Sequence, residues 1–165
     1  MKTCAFTGYR PSKLPFKDDE THPDCERLKT RLFCEALRLT REEGVQIFWS
    51  GAALGVDTWA AECVLQIKTT LPSRGIQLCC AIPHDEQTKF WTHEQRVRYE
   101  DILRRADKVH YVSHEYYEGC ELARNRFMVD QATHLIAVYD GKRGGTMHTV
   151  NYARKKGLNI TIIEP

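Results

Sequence analysis

Six short β-suited runs alternate with segments of helical periodicity along the chain, and this alternation constrains the fold more than any other feature. The runs are Lys2 to Phe6, Val45 to Trp49, Ile76 to Ile82, Lys108 to Ser113, Leu135 to Tyr139 and Asn159 to Ile163. Between the first two, Leu28, Leu32, Phe33, Ala36, Leu37 and Leu39 recur at helical spacing, which predicts a helix over Asp24 to Glu43 with Gly44 as its stop. Further helices are expected over Leu54 to Leu71, from Thr88 or Thr92 to near Ala106, over Gly119 to Gln131 and over Met147 to Lys156. Ile76 to Ile82 is apolar almost without interruption, the pattern of a strand covered on both faces, as in a parallel sheet. Strand and helix in alternation with short connections make an open, doubly wound α/β domain the economical solution. It would carry a mainly parallel sheet of about six strands with helices on both faces.

A length of 165 residues fits one domain spanning residues 1–165, and 42% hydrophobic with 28% charged residues is an ordinary globular balance. The formal net charge of +2 gives no case for a dedicated nucleic-acid binder. No apolar run reaches the ~18 residues of a membrane span, and the N-terminus lacks a signal-peptide pattern, so a cytoplasmic location with no membrane partner is expected. Seven cysteines, an odd number without a Cys-x-x-Cys pair, read as reduced thiols. The histidines are scattered without zinc spacing, so no metal is expected; His84-Asp85-Glu86 is the one dense polar run. Neither Gly-x-Ser-x-Gly nor a Cys with an evident His partner occurs, and no catalytic residue is assigned.

In a parallel sheet the carboxyl ends of the strands share one edge, where ligands bind. The residues that fall there are Thr7-Gly8-Tyr9-Arg10, Ser50-Gly51-Ala52, Pro83-His84-Asp85, Ser113, Tyr139-Asp140 and Gly144-Gly145-Thr146. Two glycine turns, each opening a helix, suit phosphate through backbone N–H groups, with Thr7, Ser50 and Thr146 adding hydroxyls. Arg10 could add charge, Tyr9 or Trp91 a stacking surface and Asp140 a ribose contact, while Asp57, near a helix N-terminus, complements the helix dipole. Arg124 and Arg126 lie two apart on one helix, so one of the two is expected to face the crevice.

Taken together, these segments resemble the YpsA-like family of the SLOG superfamily, to which DprA and the LOG-type phosphoribohydrolases also belong. The motifs that carry the likeness are Thr7 to Pro11, Ser50 to Asp57, Ile82-Pro83-His84, Arg124 to Met128, and Asp140 through Gly144-Gly145-Thr146. The resemblance implies a Rossmann-like fold that binds a nucleotide or nucleotide-derived, ADP-ribose-like ligand, in sensing or regulation. Gly8, Tyr9, Arg10, Ser50, Gly51, Ala52, Asp57, Pro83, His84, Arg124, Arg126, Asp140, Gly144, Gly145 and Thr146 are then the ligand-binding candidates. By the same analogy the chain is expected to form a homodimer. A phosphoribohydrolase-like activity is the first alternative, but Thr149 stands where the LOG-type motif carries its catalytic Glu, and Arg143 replaces a glycine of that motif. The second alternative is single-stranded DNA binding, since Ser50 to Asp57 and Arg124-Asn125-Arg126 are similar to DprA motifs.

Overall fold

The computed structural model describes residues 1–165. Six strands, β1 (Lys2–Gly8), β2 (Val45–Ser50), β3 (Gln77–Ile82), β4 (Lys108–Tyr111), β5 (His134–Val138) and β6 (Asn159–Ile163), form one sheet. Every pairing is parallel and the spatial order is β4-β3-β2-β1-β5-β6. Five helices provide the crossovers: α1 (Pro23–Glu43), α2 (Val56–Thr70), α3 (His93–Arg105), α4 (Cys120–Asp130) and α5 (Gly145–Lys155). The chain winds outward from β1 to β4, returns to place β5 on the other side of β1, and ends at β6. Right-handed crossovers put the two helix groups on opposite faces: α1 packs on α2 and α2 on α3, whereas α4 packs on α5. The expected α/β, Rossmann-like, doubly wound fold is therefore observed, with a wholly rather than mainly parallel sheet.

The sheet interior explains its apolar runs. Cys4, Ala5 and Phe6 of β1 and Leu135 to Val138 of β5 are buried, as a central strand covered on both faces requires. Phe6 of β1 stacks on Phe48 of β2 at 5.9 Å, and Trp49 of β2 meets the edge of Phe127 at 5.3 Å, joining the sheet to α4. Six of the seven cysteines are buried and none is bridged; Cys34 alone is exposed. No helix is long and apolar enough to cross a membrane.

Boundaries differ from expectation for local reasons. Helix α3 starts after Thr92, not Thr88, because Thr92 accepts from the Gln95 N–H while the Gln95 side chain accepts from the Thr92 N–H. Helix α2 begins at Val56 rather than Leu54 because Gly55, at φ 86°, breaks the helical path. Helix α5 begins two residues before the expected Met147. Pro11 to Lys13, expected as loop, is a 3-10 turn.

Candidate functional site

The order of the sheet reverses between β1 and β5, and the crevice beyond their carboxyl ends is where a ligand is expected in such a fold. A crevice of about 430 Å³ lies there, lined by Thr7 to Arg10 at the end of β1 and just beyond it, Ser12 and Lys13 of the 3-10 turn, Asp57 of α2, Glu121, Leu122, Arg124 and Asn125 of α4, and Gly144 to Thr146 with His148 at the start of α5. Of the residues nominated from sequence, Gly8, Tyr9, Arg10, Asp57, Arg124, Gly144, Gly145 and Thr146 are brought together.

The two glycine turns have different tasks. At the start of α2 two backbone donors are already used: the Val56 N–H reaches Tyr9 O and the Thr58 N–H reaches Ala53 O. Gly55 is required because a Cβ there would sit 2.8 Å from Tyr9 O, so this turn is where two chain segments cross. Ser50 is fully buried, donating from Oγ to Asp57 O at 2.8 Å and accepting from the Ala52 N–H at 3.1 Å. Ala52 is buried at φ 53°, and Gly51 O is held by Arg124 Nη1 at 2.8 Å. Ser50, Gly51 and Ala52 thus form a closed turn beneath the crevice and do not line it, contrary to the expectation that they offer donors to phosphate. At α5, by contrast, no other segment takes the N–H groups of Gly145, Thr146 and Met147. Its N-cap, Gly144, brings no side-chain cap, which leaves the first-turn N–H groups facing the crevice, and the hydroxyls of Thr7 and Thr146 bond to nothing in the protein although both residues are more than nine-tenths buried.

Charge is mixed. Arg124, 2% exposed, donates to Gly51 O, to Ala81 O at 3.3 Å and to Asn125 Oδ1 at 2.8 Å. It is the arginine that faces the crevice; Arg126 is exposed and lies over the Tyr152 ring, 5.7 Å from its centre. Burial pushes the Asp57 carboxyl above the usual aspartate range, against the pull of Arg124, Arg10 and an Ala53 amide. Burial likewise lowers Arg124, which Asp57 counteracts. Arg10 pairs with Glu121 at 3.1 Å at the rim.

Lys13, which has no ion-pair partner, reaches over Gly144 so closely that a Cβ there would stand 2.5 Å from its Nζ. Lys13 escaped the sequence reading because it sat in an unstructured-looking loop; its signal was a second cation one 3-10 turn after Arg10. Asn125 and His148 also line the crevice without having been singled out; the signal for Asn125 is that a helix-interior Asn, of poor helix propensity, suits a hydrogen-bonding task.

Three nominated roles change. Tyr9 is 4% exposed, packs edge-on to Tyr139 and donates its hydroxyl to Asp140, so it has no free face for a base. Asp140, held below the usual aspartate range by that hydrogen bond, also accepts from the Lys142 N–H and lies outside the crevice lining. His84 lines a separate surface hollow with Asp85, Glu86, His114, Glu115 and Tyr116, while Pro83 is buried. Thr149 is 3% exposed and donates to Gly145 O, so no acid occupies the place of the LOG-type Glu.

A family model described as the YspA SLOG family matches residues 4–165. Similar relatives include a UPF0398 protein of Bacillus cereus (strain B4264), 35% identical over 95% of this chain and 85% of the relative. Another is a UPF0398 protein of Bacillus thuringiensis (strain Al Hakam), 36% identical over the same shares. Among solved structures, DNA processing protein A from Streptococcus pneumoniae superposes with a TM-score of 0.65 at 17% identity, over 98% of this chain and 50% of that one. The Helicobacter pylori protein of that name, described with a single-stranded DNA binding mode, gives 0.63 at 20% identity, over 98% and 64%. The chain therefore spans half to two thirds of these structures, and at such identity the likeness is one of fold.

Proposed function

The chain belongs to the YspA SLOG family, and from that premise we infer that it binds a nucleotide or nucleotide-derived ligand of the ADP-ribose type. The ligand's phosphate would sit between the start of α5 and Lys13, in a sensing or regulatory role. The observation that carries this reading is the uncapped N-terminus of α5, met in one crevice by the unpartnered hydroxyls of Thr7 and Thr146 and by the unpaired Lys13. Backbone N–H groups at a helix start, with a cation above them, are a site for a phosphate group. Binding without turnover is favoured by Thr149, a neutral side chain bonded back to its own helix. The test is calorimetric titration with ADP-ribose, NAD and AMP, supported by thermal shift. Heat and stabilisation with at least one of them are expected, and folded protein silent to all three would refute the reading. Chromatography of the mixtures checks turnover: unchanged ligand is expected.

The second reading is single-stranded DNA binding, supported by the fold shared with DNA processing protein A and by Arg10, Lys13 and Arg124 in the crevice. Glu121 and Asp57 in the same lining place it second.

A further inference from the structure

Resting on the phosphate reading above, the geometry points to a more specific ligand. We propose that the crevice recognises a phosphorylated ribose, with Asp57 accepting from the vicinal hydroxyls of the sugar and the base left outside. Asp57 is 8% exposed and lines the same crevice as Thr146 and Lys13, yet its carboxylate has no ion-pair partner and no side-chain donor. The Ala53 amide is its one donor within the protein, and the remaining acceptor capacity of the carboxylate, facing an anion site, is open to a donor from the ligand itself. The donor is not a cation, because the charges of Arg124 and Arg10 already act at Asp57 and repel one. Neutral hydroxyls fit, and two on adjacent carbons match the two oxygens of a carboxylate, in hydrogen bonds strengthened by its charge.

The walls argue against reading of the base. Leu122 is the one aliphatic side chain of the lining, and the Tyr9 ring is enclosed. A stacked base would need an open aromatic or apolar face inside the crevice. The ribose contact thus passes from Asp140, which follows β5 and is engaged by Tyr9, to Asp57 in the first turn of α2, which follows β2 on the other side of β1.

The experiment titrates ribose 5-phosphate, 2-deoxyribose 5-phosphate and inorganic phosphate into the wild-type chain and Asp57→Asn by calorimetry. Thermal melts confirm that both are folded. In the wild type, ribose 5-phosphate is expected to bind at least about tenfold tighter than inorganic phosphate, with most of that gain lost in the deoxy sugar, as for loss of a hydrogen bond to a charged group. Asp57→Asn is expected to lose the preference for ribose 5-phosphate over inorganic phosphate, read as the ratio of the two affinities within the variant. If the three ligands bind the wild type alike, the proposal is overturned while the phosphate site stands; this comparison holds even where the variant does not fold. An Asp57→Asn chain that is folded and keeps the full ribose preference overturns it too. Silence towards all three and towards ADP-ribose brings down both readings together.

Discussion

Arg124 is a fully buried cation, and it stays charged there because Gly51 O, Ala81 O and Asn125 Oδ1 accept its N–H groups while Asp57 supplies opposing charge. Gly51 makes the room: a Cβ at that position would stand 2.4 Å from Arg124 Nη1 and 2.7 Å from Asp57 Oδ2. Gly51→Ala is therefore expected to cost about 1–3 kcal/mol of stability through overpacking, and to weaken phosphate binding as the guanidinium turns away. Denaturant unfolding and calorimetry read the two effects, and an unchanged unfolding midpoint would show that Arg124 is free to move. Asp57 makes a prediction of unusual sign. Its folded pKa is raised above the ordinary 3.8, so the unfolded chain gives up the proton first and stability is lost as pH climbs from there through the raised value. Asp57→Asn removes that loss. It is expected to gain stability on the wild type as pH rises through this window and to match it most closely below about pH 3. Paired melts across pH check it; a gap that shrinks with rising pH would mean that the carboxylate is stabilised by its neighbours.

At the scale of elements, α3 is tied to the body of the protein by charge more than by apolar burial, since Ile102 is its one buried residue. Arg98 of α3 holds Glu20, before α1, and Glu62, on α2, each with two hydrogen bonds. Arg98 and Lys29 depress the Glu20 pKa to about 2 from an ordinary 4.5. A depressed carboxylate stabilises above its unfolded pKa, and the gain disappears as pH falls from about 4.5 through about 2. Because both partners are about one-third exposed, solvent screening leaves on the order of 1 kcal/mol. Glu20→Gln is expected to cost about that much at pH 7 and nothing below about pH 2, by denaturant midpoint; a cost that persists in acid would indicate packing. Helices of this kind were legible from periodicity and caps, but α3 was not placed at its start. Thr88 and Thr92 both suit an N-cap, and only the reciprocal bond with Gln95 decides between them. The start of α2 was misread for another reason. A glycine turn before a helix has one sequence signature whether its N–H groups are free or taken, and here Tyr9 O, forty-odd residues away in sequence, takes one of them.

For the whole molecule, the order of elements already implied the switch point beside β1, so the side of the sheet that carries the crevice could be read before any contact was known. The division of labour there could not, because it depends on which loops rise and which lie beneath: Ser50 to Ala52 support Arg124 from below, and Lys13 closes over Gly144 from above. Charge at this scale separates the two ligand readings. The chain carries a net +2, and the crevice sets Arg10, Lys13 and Arg124 against Asp57 and Glu121. A single strand held by those three cations would make about three phosphate contacts. With a slope near −0.7 per contact, its affinity would fall roughly twentyfold between about 50 and about 200 mM salt. ADP-ribose, a short ligand without a condensed counterion layer, is expected to lose less than that. Titrating ADP-ribose and a thymidine oligomer side by side across this range tests the distinction. The expected result is a shallow response for ADP-ribose with the oligomer bound more weakly at every salt concentration. Tight oligomer binding at low salt that collapses about a thousandfold would require a track of basic side chains well beyond the crevice, and would reverse the order of the two readings.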